Sequence, residues 1–521
     1  MTVAPESAEP RDYRRKIKTR EELRALIGPR PRRHSVIMCH GVFDLVHPGH
    51  IRHLMYAKSK ADLLIVSLTC DAHISKADFR PFVPQDLRAM NLAALEVVDY
   101  VVVDSHPAPI ENILFLQPDF FAKGYEYSKE GLHPKTQEEL KALEGYGGEL
   151  IFTPGDIVFS SSAIIESAPP KISMEKLAVL MESEGVTVDA VRAALASLAR
   201  LRVHVIGDTI VDSHTTCTLI GGAAKTPTFS VKYERQVDFP GGAAVVAKHL
   251  RQTGASVEFS TVLGDDPLKA FVLDDLAQQG IACHPVIDHT RPTTQKTVFI
   301  AAGYRMLKVD KLDNRPISDK ALEQLRHSLA SSQADIVIFS DFRHGIFSVQ
   351  TIPQLMAAAP AQAFRAADSQ VANRWGNILE FQGCDLITPN EREARFALGD
   401  QDSVIRPLAL ELYKTARCQT LMLKLGDRGL LTYRAPNEDV RSFFTVESFA
   451  GRVVDAVGAG DALLAYASLA LAATRSPVIA SILGALAAGV ACEREGNQPV
   501  SPDEILKKLD AVEQAVKFEY A

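Results

Sequence analysis

The sequence lacks the cysteine pattern of small secreted domains and of structural zinc sites. Its seven cysteines are scattered over 521 residues and include no Cys-x-x-Cys pair. An odd number of dispersed cysteines argues against a disulfide framework and fits a reducing compartment. We therefore expect a cytoplasmic protein whose length is sufficient for large hydrophobic cores.

Long apolar runs and an excess of basic charge are missing as well. The formal net charge is −7, so no global positive field favours nucleic acid. The most apolar stretch, 462–473, is too short to span a bilayer, and the first thirty residues have no apolar core of the signal-peptide type. We expect binding to neither nucleic acid nor membrane.

Apolar segments of strand length alternate with helical segments along most of the chain. A helix is predicted over 19–27, where Thr19 and Glu22 have the spacing of a capping box. Strands such as "SVIMCH" and "ADLLIVSLT" then alternate with helical patterns, one of which covers 85–97. Two helical stretches then precede a second alternating series, which opens with "RVHVIGDTIVD". Such alternation predicts parallel α/β sheets. We predict four parts: an N-terminal extension with a helix (1–33), an α/β domain (34–167), a helical linker (168–200) and a second α/β domain (201–521).

The stretch "GVFDLVHPGH" follows the first predicted strand and places two histidines, His47 and His50, at the start of a helix. The N–H groups of a helix N-terminus favour phosphate, and two imidazoles beside it can stabilise charge on a transferring phosphoryl group. Gly41 and Gly49 would let a polyphosphate approach the backbone. The spacing alone leaves a metal-binding pair and two surface histidines as alternatives.

Four segments in order resemble the cytidylyltransferase-like nucleotidyltransferases. They are "GVFDLVHPGH", "TCDAHISKADFRPFVPQDLRA", "PDFFAKGYEY", with Glu126 where Asp is usual, and "FSSSAII". The resemblance implies a Rossmann-like domain with the catalytic residues His47, His50 and Lys123, which align the reactants and neutralise charge together with Mg²⁺. It assigns nucleotide or phosphate binding to Gly41, Phe43, Asp44, Lys76, Arg88, Ser160, Ser161 and Ser162.

Two of these assignments have structural alternatives. A lysine in a loop, such as Lys76, is commonly just solvated, and Arg88 would serve equally well as the partner of a neighbouring acid. The nucleotide, ATP or CTP, is also left open, because base selection depends on pocket walls that motif spacing does not reveal.

A second motif, "VVDAVGAGDALLAYASLALA", joins a glycine-rich turn to a long apolar helix. Gly458 and Gly460 permit the turn, and the amides at the helix start would point towards an anion. Asp461 would accept a proton from a hydroxyl while the amides stabilise the transferring phosphoryl group. A helix with an aspartate N-cap is the structural alternative.

The surroundings of this motif resemble the ribokinase-like (PfkB) carbohydrate kinases. The matching segments are "VIGDTIVD", "FPGGAAVVAKHL", "TPNEREAR", "LKLGDRGL" and "GAGD", in that order. The resemblance implies a ribokinase-like α/β fold with Asp461 as catalytic base and Asn390 and Glu393 organising Mg²⁺. It assigns ATP or phosphate binding to Lys424, Gly426, Gly429, Gly458, Ala459 and Gly460. It assigns sugar binding to Asp208, Asp212, Gly241 and Gly242.

Two positions depart from the kinase pattern. The usual Asp-Thr pair before the motif is Asp455-Ala456, and Val245 stands where a sugar-contacting Asn is common. The catalytic aspartate and the anion hole are retained, so we expect an active kinase whose sugar is not specified.

A kinase and a nucleotidyltransferase on one chain suggest consecutive reactions. The pairing resembles the bifunctional heptose kinase/adenylyltransferases of lipopolysaccharide precursor synthesis, in which the kinase comes first; here the order is reversed. We expect a homodimer that uses ATP at the kinase, takes small-molecule sugars and nucleotides, and makes a nucleotide-activated heptose-like sugar for surface polysaccharide. Two alternatives remain: a CTP-dependent alditol- or sugar-phosphate cytidylyltransferase with a non-catalytic kinase-like domain, and a non-catalytic nucleotide sensor.

Overall fold

The chain forms two compact units. The structure is a computed structural model that describes residues 12–74, 81–124, 134–153, 173–222, 229–371, 375–434 and 442–519. The first unit extends to Val179 and the second begins at Leu180, so the boundary lies within the stretch predicted as a linker.

The first unit is built on a five-stranded parallel sheet. Its strands are β1 Val36–Gly41, β2 Leu63–Thr69, β3 Tyr100–Asp104, β4 Phe120–Gly124 and β5 Glu149–Thr153. Their order is β3-β2-β1-β4-β5, and every neighbouring pair is parallel. Strand order reverses between β1 and β4, and open α/β sheets bind ligands outside the carboxyl ends of their strands at such a point.

Helices cover both faces of this sheet. They are α1 Arg20–Ile27, α2 Pro48–Lys58, α3 Gln85–Ala93, α4 Ile110–Leu116 and α5 Pro134–Glu144, followed by α6 Ser173–Ser183 at the unit boundary. Along β1, Ile37 and Cys39 pack with α2 and α3, whereas Val36 and Met38 pack with α1, α4 and α5. Burial of both faces explains why the strands are continuous apolar runs.

The second unit contains two sheets within the described residues. The strands are β6 Arg202–Gly207, β7 Thr209–Gly222, β8 Phe229–Gly242, β9 Ser256–Gly264, β10 Ala282–Asp288, β11 Gln295–Ala301, β12 Tyr304–Lys311, β13 Ile336–Asp341, β14 Phe364–Ser369, β15 Leu386–Ile387, β16 Thr420–Lys424, β17 Leu430–Arg434 and β18 Phe443–Val446. The large sheet has the order β10-β9-β6-β13-β14-β15-β16-β17-β18 and is parallel except for β17 and β18. The small sheet has the order β12-β11-β7-β8.

Ten α-helices of the described residues surround these sheets. They are α7 Val188–Ser197, α8 Ala243–Gln252, α9 Pro267–Gln278, α10 Asp319–Ser331, α11 Thr351–Ala358, α12 Glu391–Leu398, α13 Ile405–Ala416, α14 Ala459–Thr474, α15 Pro477–Cys492 and α16 Pro502–Glu519. The apolar stretch 462–473 lies within α14, whose residues 461–471 are buried, and α14 packs against α15. No helix of the described residues is long and apolar enough to cross a membrane.

The capping box predicted at the first helix is present. The Thr19 hydroxyl accepts a hydrogen bond from the Glu22 N–H, and the Glu22 carboxylate accepts one from the Thr19 N–H. The helix predicted over 85–97 is shorter than expected and ends at Ala93. The carbonyls of Leu95 and Val98 accept hydrogen bonds from the Lys16 ammonium, a distant partner that the local pattern does not show.

Candidate active sites

The histidine motif of the first unit lies at the turn from β1 into α2. His47 is the N-cap of α2, and its Nδ1 accepts a hydrogen bond from the Gly49 N–H over 3.2 Å. His50 donates from Nδ1 to the Leu45 carbonyl over 3.1 Å. The two rings stack with their centroids 3.8 Å apart. The backbone therefore holds the pair as one unit at a helix N-terminus.

These hydrogen bonds determine what each ring can offer a ligand. Because Nδ1 of His47 is an acceptor, the neutral ring carries its proton on Nε2 and can donate from there. Nδ1 of His50 carries the proton, so its Nε2 becomes a donor only when the ring is protonated. Burial lowers the pKa of both rings, that of His50 to about 4, where the neighbouring His47 adds to the effect. A bound phosphate would favour the protonated rings.

Phe43 and Asp44 shape the turn before the histidines. The Asp44 carboxylate accepts hydrogen bonds from the N–H groups of Phe82 and Val83, at 2.9 and 2.7 Å. Phe43 has a φ of 46°, and its ring lies 5.0 Å from that of His50. A Cβ on Gly41 would come within 3.1 Å of the Phe43 ring, so the glycine allows this packing.

The structure corrects the assignment of Arg88 to the nucleotide or phosphate. Its guanidinium is fully buried and donates to three backbone carbonyls, those of Val42, Thr69 and Val83. It also forms an ion pair of 2.5 Å with the Asp71 carboxylate. The alternative, pairing with a neighbouring acid, is therefore correct. Arg88 connects the segment after β1, the end of β2 and the segment before α3.

Lys123 lies at the carboxyl end of β4, next to a polar network that motif analysis missed. Its ammonium donates to the Thr136 hydroxyl at 2.9 Å and pairs with the Glu139 carboxylate. His40, at the end of β1, is bonded to the hydroxyls of Ser67 and Thr69. Burial lowers the pKa of His40 to about 4, and the charge of Lys123 adds to this effect. The remaining predicted residues of this unit lie outside the described residues: Lys76, Ser160, Ser161 and Ser162.

Most residues predicted for the kinase line one cavity of about 640 Å³ in the second unit. They are Asp212, Gly242, Asn390, Glu393, Lys424, Gly426, Gly429, Gly458, Ala459, Gly460 and Asp461. Asp208 and Gly241 are not among the lining residues. The fold thus brings together segments that are far apart in the sequence.

Asp461 lies buried in the first turn of α14. The helix begins at Ala459, and its N-cap is Gly458, with a φ of 81° and no side-chain cap. The aspartate N-cap alternative is therefore wrong. Burial raises the pKa of Asp461 to about 7, and the carboxylate of Asp368 adds to this rise. A carboxylate with a pKa near neutrality in the first turn of a helix suits a general base.

Lys424, at the end of β16, brings positive charge to the same place. Its ammonium donates to Asp368 at 2.9 Å, and a Cβ on Gly460 would lie 3.3 Å from Nζ. Burial acts to lower the pKa of Lys424, but the carboxylates of Asp368 and Glu393 outweigh it and the pKa is raised. Asp368, which no motif indicated, thus positions the lysine.

Asn390 and Glu393 form the capping box of α12. The Asn390 Oδ1 accepts from the Glu393 N–H at 2.9 Å, and the Glu393 carboxylate accepts from the Asn390 N–H at 2.7 Å. Burial raises the pKa of Glu393 to about 7; Lys424 opposes this rise and Asp368 adds to it. The carboxamide oxygen of Asn390 is thus used by the cap, and Glu393 faces the cavity with one carboxylate oxygen committed.

The donor set fits a hydrated divalent cation. Three buried acids, Asp368, Glu393 and Asp461, surround a single lysine, and oxygen donors are the ligands that Mg²⁺ prefers while it retains several waters. No group of three or more His, Cys, Asp or Glu side chains in the described part of the chain is arranged to hold a metal ion by itself.

Of the two aspartates predicted to bind the sugar, Asp212 on β7 lines the cavity. Its Oδ2 accepts a hydrogen bond from the Asn497 Nδ2 at 3.4 Å. A Cβ on Gly241 would lie 2.2 Å from this oxygen, so a side chain there would displace the carboxylate. Burial raises the pKa of Asp212, and the ammonium of Lys296 opposes the rise. The absence of a side chain at Gly241 therefore leaves room for the Asp212 carboxylate.

The structure also corrects the assignment of Asp208 to the sugar. Its buried carboxylate accepts hydrogen bonds from the N–H groups of Phe342, His344 and Ile346. These bonds hold the loop after β13, and leave Asp208 outside the cavity lining. Val245 is fully buried in α8 and does not line the cavity either, so the departure at this position does not place an apolar group in the lining.

Two lysines of the small sheet line the cavity and were missed. Lys296 on β11 is the register partner of Asp212 on β7, and Lys308 lies on the adjacent strand β12. Burial lowers the pKa of Lys296, and the neighbouring Lys308 adds to this effect. The alternation of residues along β11 and β12 indicates that Lys296 and Lys308 lie on the same face of the sheet. Only the strand register shows that Asp212 lies beside them.

Comparisons with known proteins identify a family segment in each unit. The profile of the pfkB family carbohydrate kinases matches residues 201–504, and the Cytidylyltransferase-like profile matches residues 38–167. The bifunctional protein HldE of Acidiphilium cryptum is 28% identical over 332 residues, 62% of this chain and 65% of the relative. That of Desulfatibacillum aliphaticivorans is 28% identical over 316 residues, 59% of this chain and 63% of the relative. The chain thus matches less than two thirds of the length of these relatives.

A solved structure supports the fold of the second unit. Phosphofructokinase-2 from Escherichia coli in complex with substrates and products superposes with a TM-score of 0.51 at 19% identity, covering 60% of this chain and 100% of that chain. The predicted ribokinase-like fold is confirmed, as is the presence of two family segments in the predicted order. The chain belongs to the pfkB family of carbohydrate kinases and carries a cytidylyltransferase-like segment ahead of the kinase unit.

Proposed function

We propose that the chain is a bifunctional enzyme, a sugar kinase joined to a sugar-phosphate nucleotidyltransferase that makes a nucleotide-activated heptose-like sugar for surface polysaccharide. The observation that carries this proposal is the convergence of Asp461, Lys424, Glu393 and the glycine turn in one cavity. The stacked histidines at the start of α2 and the similarity to proteins called bifunctional HldE support the second activity.

In the kinase unit, Asp461 acts as the general base. It takes the proton of a sugar hydroxyl while the hydroxyl oxygen bonds to the γ-phosphorus of ATP and the bond to the bridging oxygen breaks, releasing ADP. The first-turn amides of α14 and the Lys424 ammonium stabilise charge on the phosphate oxygens. Mg²⁺, when bound, would neutralise further phosphate charge, with its water ligands held by Glu393 and Asp368.

The small sheet supports an anionic sugar as the kinase substrate. Lys296 and Lys308 face the cavity beside Asp212, and bringing two ammonium groups close together in a partly buried place is unfavourable. A phosphate on the sugar would offset this repulsion. We therefore favour a sugar monophosphate over a neutral sugar.

In the first unit, the histidines support transfer of a nucleotidyl group from ATP or CTP. An oxygen of the acceptor phosphate forms a bond to the α-phosphorus, and the bond to pyrophosphate breaks, so no general base is needed. His47 donates from Nε2 to the triphosphate, and His50 does so after taking up a proton. These donors neutralise charge that grows on the leaving pyrophosphate.

We also propose a homodimer that works in the reducing cytoplasm. All seven cysteines are free thiols. The small sheet exposes several large apolar side chains, which favours association with a second copy: Leu219, Ile220, Phe229, Tyr233, Tyr304 and Leu307. Light scattering on the full chain is expected to give twice the chain mass, and a monomer mass would contradict this part of the proposal.

The activities are tested by two product assays on the purified full chain. ADP formation is measured with ATP and Mg²⁺ across hexoses, heptoses and their monophosphates, with Asp461→Asn as control. Pyrophosphate release is measured with ATP and CTP against heptose, hexose and alditol phosphates, with His47→Ala as control. If pyrophosphate is released but no sugar gives ADP, the result supports the cytidylyltransferase alternative. If neither product forms, the result supports a nucleotide sensor.

A further inference from the structure

Asn497 presents an acceptor without a donor to the kinase cavity. It lies in the loop between α15 and α16 and lines the same cavity as Asp461. Its Nδ2 donates to Asp212, which places the carboxamide nitrogen on the carboxylate side. Its Oδ1 is buried and has no hydrogen-bond partner among the described residues. A buried carbonyl oxygen left in this state carries an uncompensated desolvation cost.

The same oxygen lies against the glycine turn that precedes the catalytic base. A Cβ on Gly458 would come within 2.6 Å of the Asn497 Oδ1. Gly458 is the N-cap of α14, which carries Asp461 in its first turn. The carboxamide therefore extends from the sugar-site carboxylate of Asp212 to the turn at which phosphoryl transfer is proposed.

We propose that Asn497 is a specificity-determining residue whose Oδ1 accepts a hydrogen bond from a substrate hydroxyl. The inference rests on the proposed kinase function. Asp212 offers a second acceptor on the other side of the same carboxamide, so two neighbouring hydroxyls of one sugar satisfy both residues. The substrate class is a polyhydroxylated sugar with a vicinal diol next to the hydroxyl that attacks ATP.

Discrimination follows from the desolvation of the acceptor. A sugar that lacks the hydroxyl leaves Oδ1 without a donor in the bound state, whereas the complete sugar relieves this cost. Sites built to bind a hydroxyl reject the deoxy analogue strongly for this reason. Replacing the carboxamide with a methyl group removes the unsatisfied acceptor, so both sugars are then accepted alike.

The test compares hydroxylated and deoxy sugars in the full chain. ADP formation is measured for glucose 6-phosphate, mannose 6-phosphate and heptose 7-phosphate, and for 2-deoxyglucose 6-phosphate. We expect the wild-type protein to prefer its best hydroxylated sugar by about 10-fold or more in kcat/KM. In Asn497→Ala the preference falls to within about 3-fold, with a raised sugar KM and an unchanged ATP KM.

Two further variants separate recognition from a structural role. Asn497→Thr retains an acceptor oxygen and is expected to keep part of the preference. Gln498→Ala alters the exposed neighbour in the same loop and is expected to behave as the wild type. A preference that survives in Asn497→Ala, or a KM for ATP that rises as much as the KM for the sugar, would overturn the inference.

The failure of the kinase proposal is distinguishable from the failure of this inference. If the wild-type protein forms no ADP with any sugar, the kinase proposal fails. Binding of the same sugars, measured as the shift they cause in the Tm, then decides the role of Asn497. An equal shift in wild type and Asn497→Ala, or no shift in either, overturns the role of Asn497 as well.

Discussion

At the scale of single residues, burial lowers the pKa of the histidines in the first unit and raises the pKa of the acids in the second. Burial lowers the pKa of His50 to about 4 and raises the pKa of Asp461 and Glu393 to about 7. In both cases desolvation disfavours the charged form, and a ligand of opposite charge favours it. The proposed binding of a nucleotide at the histidines would therefore be linked to proton uptake, and that of a cation at the acids to proton release.

The pKa of Asp461 predicts the pH dependence of the kinase. Only the ionised carboxylate accepts a proton, so kcat for ADP formation is expected to rise with pH through about 7 and then level off. Asp461→Asn removes the base, and we expect kcat to fall by about 10²–10⁴-fold. A kcat profile from pH 5.5 to 8.5 checks both points. The same rise through pH 7 in the variant would assign the titration to another group.

The corrected role of Arg88 predicts a loss of stability. In Arg88→Met the Asp71 carboxylate and three backbone carbonyls lose the donor that Arg88 supplies, so the first unit is expected to lose about 3–5 kcal/mol of unfolding free energy. Arg20→Met is the control, since Arg20 makes an exposed ion pair with Glu21. Urea unfolding measures both. A cost below 1 kcal/mol for Arg88→Met would contradict the structural role.

At the scale of elements, the candidate sites lie where helices begin. His47 is the N-cap of α2, Asn390 is the N-cap of α12, and Asp461 lies in the first turn of α14. Each start presents backbone N–H groups that the helix leaves unbonded. The strands and helices were predictable because apolar runs and caps are local patterns, as Thr19 and Glu22 illustrate.

The capping box of α12 gives a prediction with a matched control. Asn390→Ala is expected to cost about 1 kcal/mol of stability and to raise the Mg²⁺ concentration for half-maximal ADP formation, because Glu393 loses its orienting partner. Glu393→Gln is expected to raise the same Mg²⁺ requirement. Thr19→Ala removes the equivalent cap of α1 and should cost similar stability with no change in the kinase. An unchanged Mg²⁺ dependence in the α12 variants would remove both residues from the metal role.

The residues that the sequence misassigned or missed share one physical reason. The charged groups of Arg88 and Asp208 form hydrogen bonds with backbone groups that tertiary structure brings close to them. No local sequence pattern shows which backbone groups these are. Asn497 contacts Asp212 across a separation of 285 residues. Lys296 reaches the cavity only because β11 pairs with β7 in one register. Motifs therefore indicate residues that are close together in the sequence, and they do not show the residues that tertiary structure brings beside them.

At the scale of the whole molecule, each candidate site is built within one unit. His47 and His50 belong to the first unit, and Asp461, Lys424 and Asp212 belong to the second. The order of the two family segments therefore has no bearing on the chemistry of either site. We propose that one chain carries two separate active sites.

Reciprocal variants of the full chain test whether the two sites are separate. ADP formation and pyrophosphate release are measured on the same preparations of wild type, His50→Ala and Asp461→Asn. We expect His50→Ala to abolish pyrophosphate release and keep ADP formation within a few-fold, and Asp461→Asn to do the reverse. Loss of both products in either variant, or of neither in both, would contradict the presence of two separate sites.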